Sequence, residues 1–208
     1  YFSQNNYSCK YIPNFIKIEE YPFLKRSICK PKILWVRSLH KIYNPEMAIR
    51  VLSIVSEKYP DAELCMVGPE KDESLKECLK IAKKLTIDKK LKFTGLLSQK
   101  QWIALSKDYD IFINTTNKDN MPVSVIEALA LGFPIISTNV GGLSFLLNDK
   151  NDALLVNKND FQAMAKNIIK IINDSYLSEI LSINARKKAE EFSWENISNK
   201  WIKLFDNV

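Results

Sequence analysis

The chain has 208 residues, 46% of them hydrophobic, enough apolar material for one main domain with a sizeable core. Its net charge of +6 invites a nucleic-acid partner, but lysines mix with acids in runs such as Glu70-Lys71-Asp72-Glu73 and Lys187-Lys188-Ala189-Glu190-Glu191, which read as solvated faces, and neither an aromatic-basic RNA signature nor a zinc-finger spacing is present. No segment reaches the roughly 18 apolar residues that a membrane span needs, and Cys9, Cys29, Cys65 and Cys78 show no paired spacing, so neither a disulfide framework nor a zinc site is indicated and reduced, cytoplasmic thiols are expected.

Residues 1–30 carry Pro13 and Pro22, abut Pro31 and lack a helix or strand signal of comparable strength; they read as a linker. Ile33-Leu34-Trp35-Val36 is an apolar run suited to a fully buried strand at about 33–37. Arg37-Ser38-Leu39-His40-Lys41 then places two cations in a strand-to-helix loop, and Asn44-Pro45-Glu46 supplies a cap, a proline and an early acid to open a helix near 45–58. Further strands are predicted at about 62–67, 91–94, 110–114, 134–138 and 153–156. Helices are predicted near 73–86, 98–106, 122–131, 160–173, 176–191 and 194–206. Strands alternating with helices predict an α/β fold with a doubly wound, parallel, six-stranded Rossmann-like sheet over 31–192, whose ligand would lie beyond the carboxyl ends of the strands.

The stretch Asp119-Asn120-Met121-Pro122-Val123-Ser124-Val125-Ile126-Glu127-Ala128-Leu129-Ala130-Leu131-Gly132-Phe133-Pro134 carries most of the chemistry. Pro122 suits the first helical position, because its missing N–H is one the helix does not use. The N–H groups of Val123 and Ser124 then lack helical partners and, with the positive end of the helix dipole, favour an anion such as phosphate. Asp119 precedes the helix and Glu127 lies about a turn and a half into it, so at roughly 1.5 Å per residue the two carboxylates stand apart. That spacing argues against a coupled acid/base pair and suits an elongated ligand with an acid at each end and phosphates between.

This stretch resembles the Glu-x7-Glu signature of the glycosyltransferase family 4 type, retaining enzymes of the GT-B fold, with Pro122, Glu127, Ala128, Ala130, Gly132 and Pro134 in register. Asp119 stands where a glutamate is usual, one methylene shorter, and Asn120 where a glycine is usual. The resemblance implies that Asp119 meets the donor sugar and Glu127 the ribose of the nucleotide. The family loop G-R-L-x-x-x-K-G carries an Arg and a Lys that hold the donor pyrophosphate. Arg37 and Lys41 match these in type, one residue closer together and without the flanking glycines. Tyr11-Ile12-Pro13-Asn14-Phe15-Ile16 resembles the I-P-N-G segment before the donor half, and Phe192-Ser193-Trp194 with the run to Phe205 resembles the closing helix that crosses back to the partner domain. The chain thus resembles the C-terminal half of a GT-B enzyme, with residues 1–30 a linker and remnant from an N-terminal acceptor domain and 193–208 the crossing helix. By itself this half is expected to bind donor and to transfer little or nothing.

Arg37, Lys41 and Asp119 are accordingly expected to be catalytic, and Glu127, Met121, Pro122, Val123, Ser124, Gly95 and His40 to bind donor. The resemblance implies a UDP- or GDP-linked sugar, no metal or other cofactor, a carbohydrate or lipid-linked acceptor held by the N-terminal domain, and a cytoplasmic protein, in peripheral contact with the inner face of a membrane if its acceptor is lipid-linked. Thr94-Gly95 resembles the turn beside the nucleobase. His40 is placed to bind phosphate, and the adjacent cations argue against a general base. Gly141-Gly142 reads either as a phosphate turn or as a flexible connection, with Phe145 where the family often has a glutamate. Asp108-Tyr109-Asp110 has the form of an Asp-x-Asp metal motif, although Asp110 also suits the opening of a strand. Trp35 and Trp102 read as core. A nucleotide-sugar binding module without transferase activity and a sugar-nucleotide epimerase of related fold are the alternatives.

Overall fold

The computed structural model describes residues 12–206. Its apolar runs pair into one sheet whose central strands are buried on both faces, as parallel strands flanked by helices must be, while the edge strand at 91–95 stays partly exposed. The strands are β1 (Lys32–Val36), β2 (Glu63–Val67), β3 (Leu91–Gly95), β4 (Ile111–Asn114), β5 (Ile135–Thr138) and β6 (Leu154–Val156). All pairs are parallel and the order is β3-β2-β1-β4-β5-β6, so the chain reverses direction across the sheet between β1 and β4. In such a sheet the ligand crevice lies outside the carboxyl ends of the two strands that flank the reversal.

Alternate strand residues face opposite layers. Ile33, Trp35, Leu64, Met66, Ile111 and Ile113 pack under α1 (Pro45–Lys58), α2 (Ser74–Lys84) and α6 (Phe161–Asn173). Leu34, Cys65, Phe112 and Ile135 pack under α3 (Gln99–Leu105), α4 (Val123–Ala130), the short α5 (Leu143–Leu146) and α7 (Ser175–Glu190). Trp35 and Trp102 are buried in these two layers, as expected of core residues. All six predicted strands are present within a residue of their predicted ends. Pro122 differs in detail: it caps α4 with extended ψ, and the helix proper starts at Val123. The short α5 has no counterpart among the predicted helices.

The segment read as a linker is, over residues 12–30, packed along the domain. Ile16 lies beside Ser193, its N–H donating to Phe192 O at 2.9 Å and its carbonyl accepting from Trp194 N–H at 3.1 Å. Tyr21 and Cys29 are buried. Arg26 is almost fully buried and donates to the carbonyls of Tyr109 (3.1 Å), Leu131 (2.7 Å), Ser106 (3.1 Å) and Leu24 (3.2 Å), with its guanidinium 3.5 Å over the Phe133 ring. Burial lowers the Arg26 pKa to about 10, which leaves it charged at neutral pH. Tyr11, Cys9 and the rest of residues 1–11 lie outside the described residues, as do 207 and 208. At the other end α8 (Trp194–Phe205) is capped by Ser193, whose side chain accepts from Asn196 N–H. Ile197 is the buried residue of α8, while Ile202 and Phe205 are exposed.

Candidate active site

The loop after β1 is pinned from beside it by the segment after β2. Arg37 N–H donates to Val67 O, Leu39 N–H to Pro69 O and Lys71 N–H to Leu39 O, each within 3.0 Å. Gly68, at φ +146°, allows this approach: a Cβ there would lie 1.9 Å from Arg37 O. Gly68 N–H in turn donates to Gly95 O at 2.9 Å, so the ends of β1, β2 and β3 are stacked backbone to backbone.

His40 is engaged within its own loop. Its Nδ1 accepts from Ile42 N–H at 3.1 Å, capping the 3-10 turn Lys41–Tyr43, and its Nε2 lies 3.8 Å from Asp72. Asp72 is held down to a pKa of about 2 by hydrogen bonds from the Ser74 hydroxyl and from the Lys41 and Ser74 N–H groups. His40 therefore shapes the loop that presents Lys41. The Lys41 side chain is exposed, and its ammonium has no carboxylate partner among the described residues.

The loop after β4 is stitched to that turn. Asn117 N–H donates to Ile42 O (2.8 Å) and its amide to Lys41 O (3.2 Å). The Thr115 hydroxyl accepts from Trp35 Nε1 (2.9 Å) and reaches the carbonyls of Tyr43 (2.8 Å) and Asn44 (2.9 Å). On the far side the acidic loop rests on the paired glycines: Gly142 N–H donates to Asp119 O (2.9 Å), and Cβ atoms added at Gly141 and Gly142 would fall 2.1 Å from Asp119 O and 1.7 Å from Asn120 O. Gly141-Gly142 is therefore a close-packing platform under Asp119 and Asn120.

These two loops bring Arg37 and Asp119 together. The Arg37 guanidinium donates to Asp119 Oδ2 in a mostly buried ion pair, and it also lies 4.4 Å over the Tyr43 ring. Arg37 Nε is buried and has no hydrogen-bond partner among the described residues. Beside the pair begins α4, whose first helical bond is made by Val125 N–H to Pro122 O (3.1 Å), so the N–H groups of Val123 and Ser124 precede the bonded ladder. Met121 is held by the N-terminal segment, its carbonyl accepting from the Asn14 amide at 3.3 Å.

Glu127 lies farther along α4 and has a separate partner. Its Oε1 accepts from the Tyr21 hydroxyl at 2.6 Å, which leaves Oε2 free of that bond. Burial raises the Glu127 pKa, and the Tyr21 bond opposes that rise in part. The Tyr21 hydroxyl is itself raised, first by burial and then by the bond to Glu127. Gln99 also contacts the Tyr21 hydroxyl, while Arg186 donates to Tyr21 O (2.8 Å) and Ala130 O (2.9 Å), fixing the segment against the end of α4. Asp110, the second acid of the Asp-x-Asp sequence, opens β4 at the amino edge of the sheet and accepts from Lys30 N–H at 3.0 Å, on the side opposite the crevice.

Asp119, Arg37, Lys41, Val123, Ser124 and the backbone ends at Gly95 and Gly68 therefore share the carboxyl edge of the sheet. Tyr21, Tyr43, Thr115 and Gly68 contact the predicted site residues or their loops without a sequence signal, because each acts through a partner distant in the chain. With a held Arg37, an exposed Lys41, a helix N-terminus and two separately held acids, the arrangement suits a phosphorylated, elongated ligand and the negative charge that develops on it.

The comparisons agree with this fold. Over 171 residues the chain is 29% identical to an uncharacterized glycosyltransferase of Haemophilus influenzae, covering 81% of this chain and 47% of that protein. Anabaena HepE in complex with UDP superposes with a TM-score of 0.89 at 18% identity, over 100% of this chain and 60% of that one. The C-terminal domain of a glycosyl transferase group 1 family protein (LpcC) from Francisella tularensis does so with a TM-score of 0.73 at 20% identity, over 84% and 96%. The chain spans about half the length of the Haemophilus relative. The family model for glycosyl transferases group 1 matches residues 22–188, and the chain belongs to that family.

Proposed function

We propose that this chain is the donor-binding half of a retaining glycosyltransferase that moves a sugar from a nucleoside-diphosphate sugar to a carbohydrate or lipid-linked acceptor. The observation that carries the reading is the meeting of Arg37 and Asp119 at the sheet reversal, beside the start of α4 and within reach of Lys41 on the same loop. The diphosphate would lie against Arg37, Lys41 and the N–H groups of Val123 and Ser124. Charge grows on it as the glycosidic bond breaks, so fixed donors there favour the transition state over the ground state. The acceptor would attack from the face the leaving group vacates. Glu127 would take a ribose hydroxyl through Oε2. Asp119 would accept from a sugar hydroxyl and keep Arg37 in place. HepE binds UDP on the same fold, which supports a uridine nucleotide as the first ligand to try.

The role of Asp119 is tested in one experiment. Asp119→Ala should weaken an intact UDP-sugar more than free UDP, measured by calorimetric titration of both ligands. An equal loss for both would place Asp119 on the diphosphate side and remove it from the sugar.

A further inference from the structure

We infer that Tyr21 is a positioning residue for the nucleotide: its hydroxyl aims the Glu127 carboxylate at the ribose and so makes the site select a ribonucleotide over its deoxy counterpart. This role rests on the donor-binding reading above and adds to it a residue that touches the acid and not the ligand.

Three parts of the chain meet at this hydroxyl. Tyr21 comes from the N-terminal segment, Glu127 from α4 and Gln99 from the first turn of α3. The Gln99 Nε2 group donates to the Tyr21 oxygen and also reaches Glu20 Oε2 at 3.3 Å. An ionised carboxylate is an acceptor only, so Glu20 keeps the NH2 side of the amide turned toward this cluster. The Tyr21 hydroxyl, accepting from that amide, gives its own proton to Glu127 Oε1 at 2.6 Å. Amide, hydroxyl and carboxylate thus stand in one donor order.

The holder is neutral, and this sets Glu127 apart from the other acid. Asp119 is paired with Arg37, which offsets its charge. Glu127 has no cation within ion-pair reach among the described residues. Tyr21 therefore fixes one oxygen without cancelling the charge, and Oε2 stays a charged acceptor, the stronger kind for a ribose hydroxyl. A carboxylate already held in place also loses less rotamer freedom when the ligand arrives.

The surrounding structure is held without these two polar groups. The Tyr21 ring is buried in the apolar layer under α4, where phenylalanine would pack as well, and its backbone is tied separately: its carbonyl accepts from Arg186 at 2.8 Å and its N–H donates to Ile18 O at 3.2 Å. The start of α3 is fixed by the Ser98–Gln101 capping box and does not use the Gln99 side chain. Gln99 follows Gly95 on the same loop, so the network joins the turn expected beside the nucleobase to the acid expected on the ribose.

The test is calorimetric titration of the chain, of Tyr21→Phe and of Gln99→Ala with UDP, GDP and ADP and with the 2′,3′-dideoxy counterpart of each. The parent should bind one ribonucleotide at least about tenfold more tightly than its dideoxy form. Tyr21→Phe should weaken that ribonucleotide about tenfold and change the dideoxy form by less than about twofold. Gln99→Ala should show the same pattern at about threefold, since Gln99 is exposed and water competes for its bond. Thermal melting checks that both variants fold, and Gln99→Ala keeps the test decisive should Tyr21→Phe not fold. Unchanged ribonucleotide affinity in the variants, with the parent still discriminating, would overturn the inference and leave the donor reading standing. Equal losses for both forms would make Tyr21 a structural residue only. A parent that binds both forms alike would remove Glu127 from the ribose and the role of Tyr21 with it, and a parent that binds none of the nucleotides would overturn the donor reading itself.

Discussion

Glu127 shows how burial sets the working range of a single group. Its carboxyl is raised above the ordinary value of 4.5, chiefly by burial, so the folded protein holds that proton more tightly than the unfolded chain does. The contribution to stability is then fully present below 4.5 and is lost as pH rises through the folded value. Ribose binding has the opposite sign, since the ionised carboxylate is the stronger acceptor. Affinity for the nucleotide should therefore rise with pH above 4.5 while stability contributed by this group falls. Glu127→Gln should flatten that rise, and Glu127→Ala should cost about 1.5–3 kcal/mol of binding near neutral pH. Nucleotide titrations over a pH series check both; a slope that survives in the Gln variant would remove Glu127 from the ribose. Much of this was legible in the sequence: the helix start, the phosphate-side N–H groups and the acid at 127 follow from one stretch. Tyr21 was not, because its contact to Glu127 spans 106 residues and leaves no local periodicity. The Arg37–Asp119 pair was readable as two residues on two loops, but not as a contact, for the same reason.

Among the elements, the strands and helices follow from apolar runs and caps, and they lie where those signals end. The N-terminal segment does not follow, because what holds it is a buried guanidinium giving hydrogen bonds to four carbonyls, and carbonyls carry no sequence signal. The same holds for the glycines: Gly141 and Gly142 are legible in the sequence, but only the fold shows that they, and Gly68, each face a backbone carbonyl of a site loop. Arg26→Leu removes the donor and leaves buried acceptors such as Tyr109 O short of a partner. It should destabilise the domain by about 3 kcal/mol, read from chemical denaturation. Since the segment carries Tyr21, nucleotide affinity should fall with it even below the unfolding transition. A stability within about 0.5 kcal/mol of the parent would mean the segment is held mainly by Ile16, Tyr21 and Cys29.

Across the whole molecule, one sheet reversal gathers the chemistry. Loops from β1 and β4, backed by backbone from β2, β3 and the Gly141-Gly142 turn, place Arg37, Lys41, Asp119 and the start of α4 on one edge. The chain spans about half of the Haemophilus glycosyltransferase it resembles. On the proposed function, this half binds a nucleoside diphosphate with its own residues. Calorimetric titration of the chain and of Arg37→Ala with UDP, GDP and ADP, with and without magnesium, tests it most directly. The account predicts saturable binding of one nucleotide, unchanged by magnesium, and at least tenfold weaker in Arg37→Ala, the loss of one charged hydrogen-bond partner. Equal affinity in the two proteins, or no saturable binding to a folded chain, would contradict it.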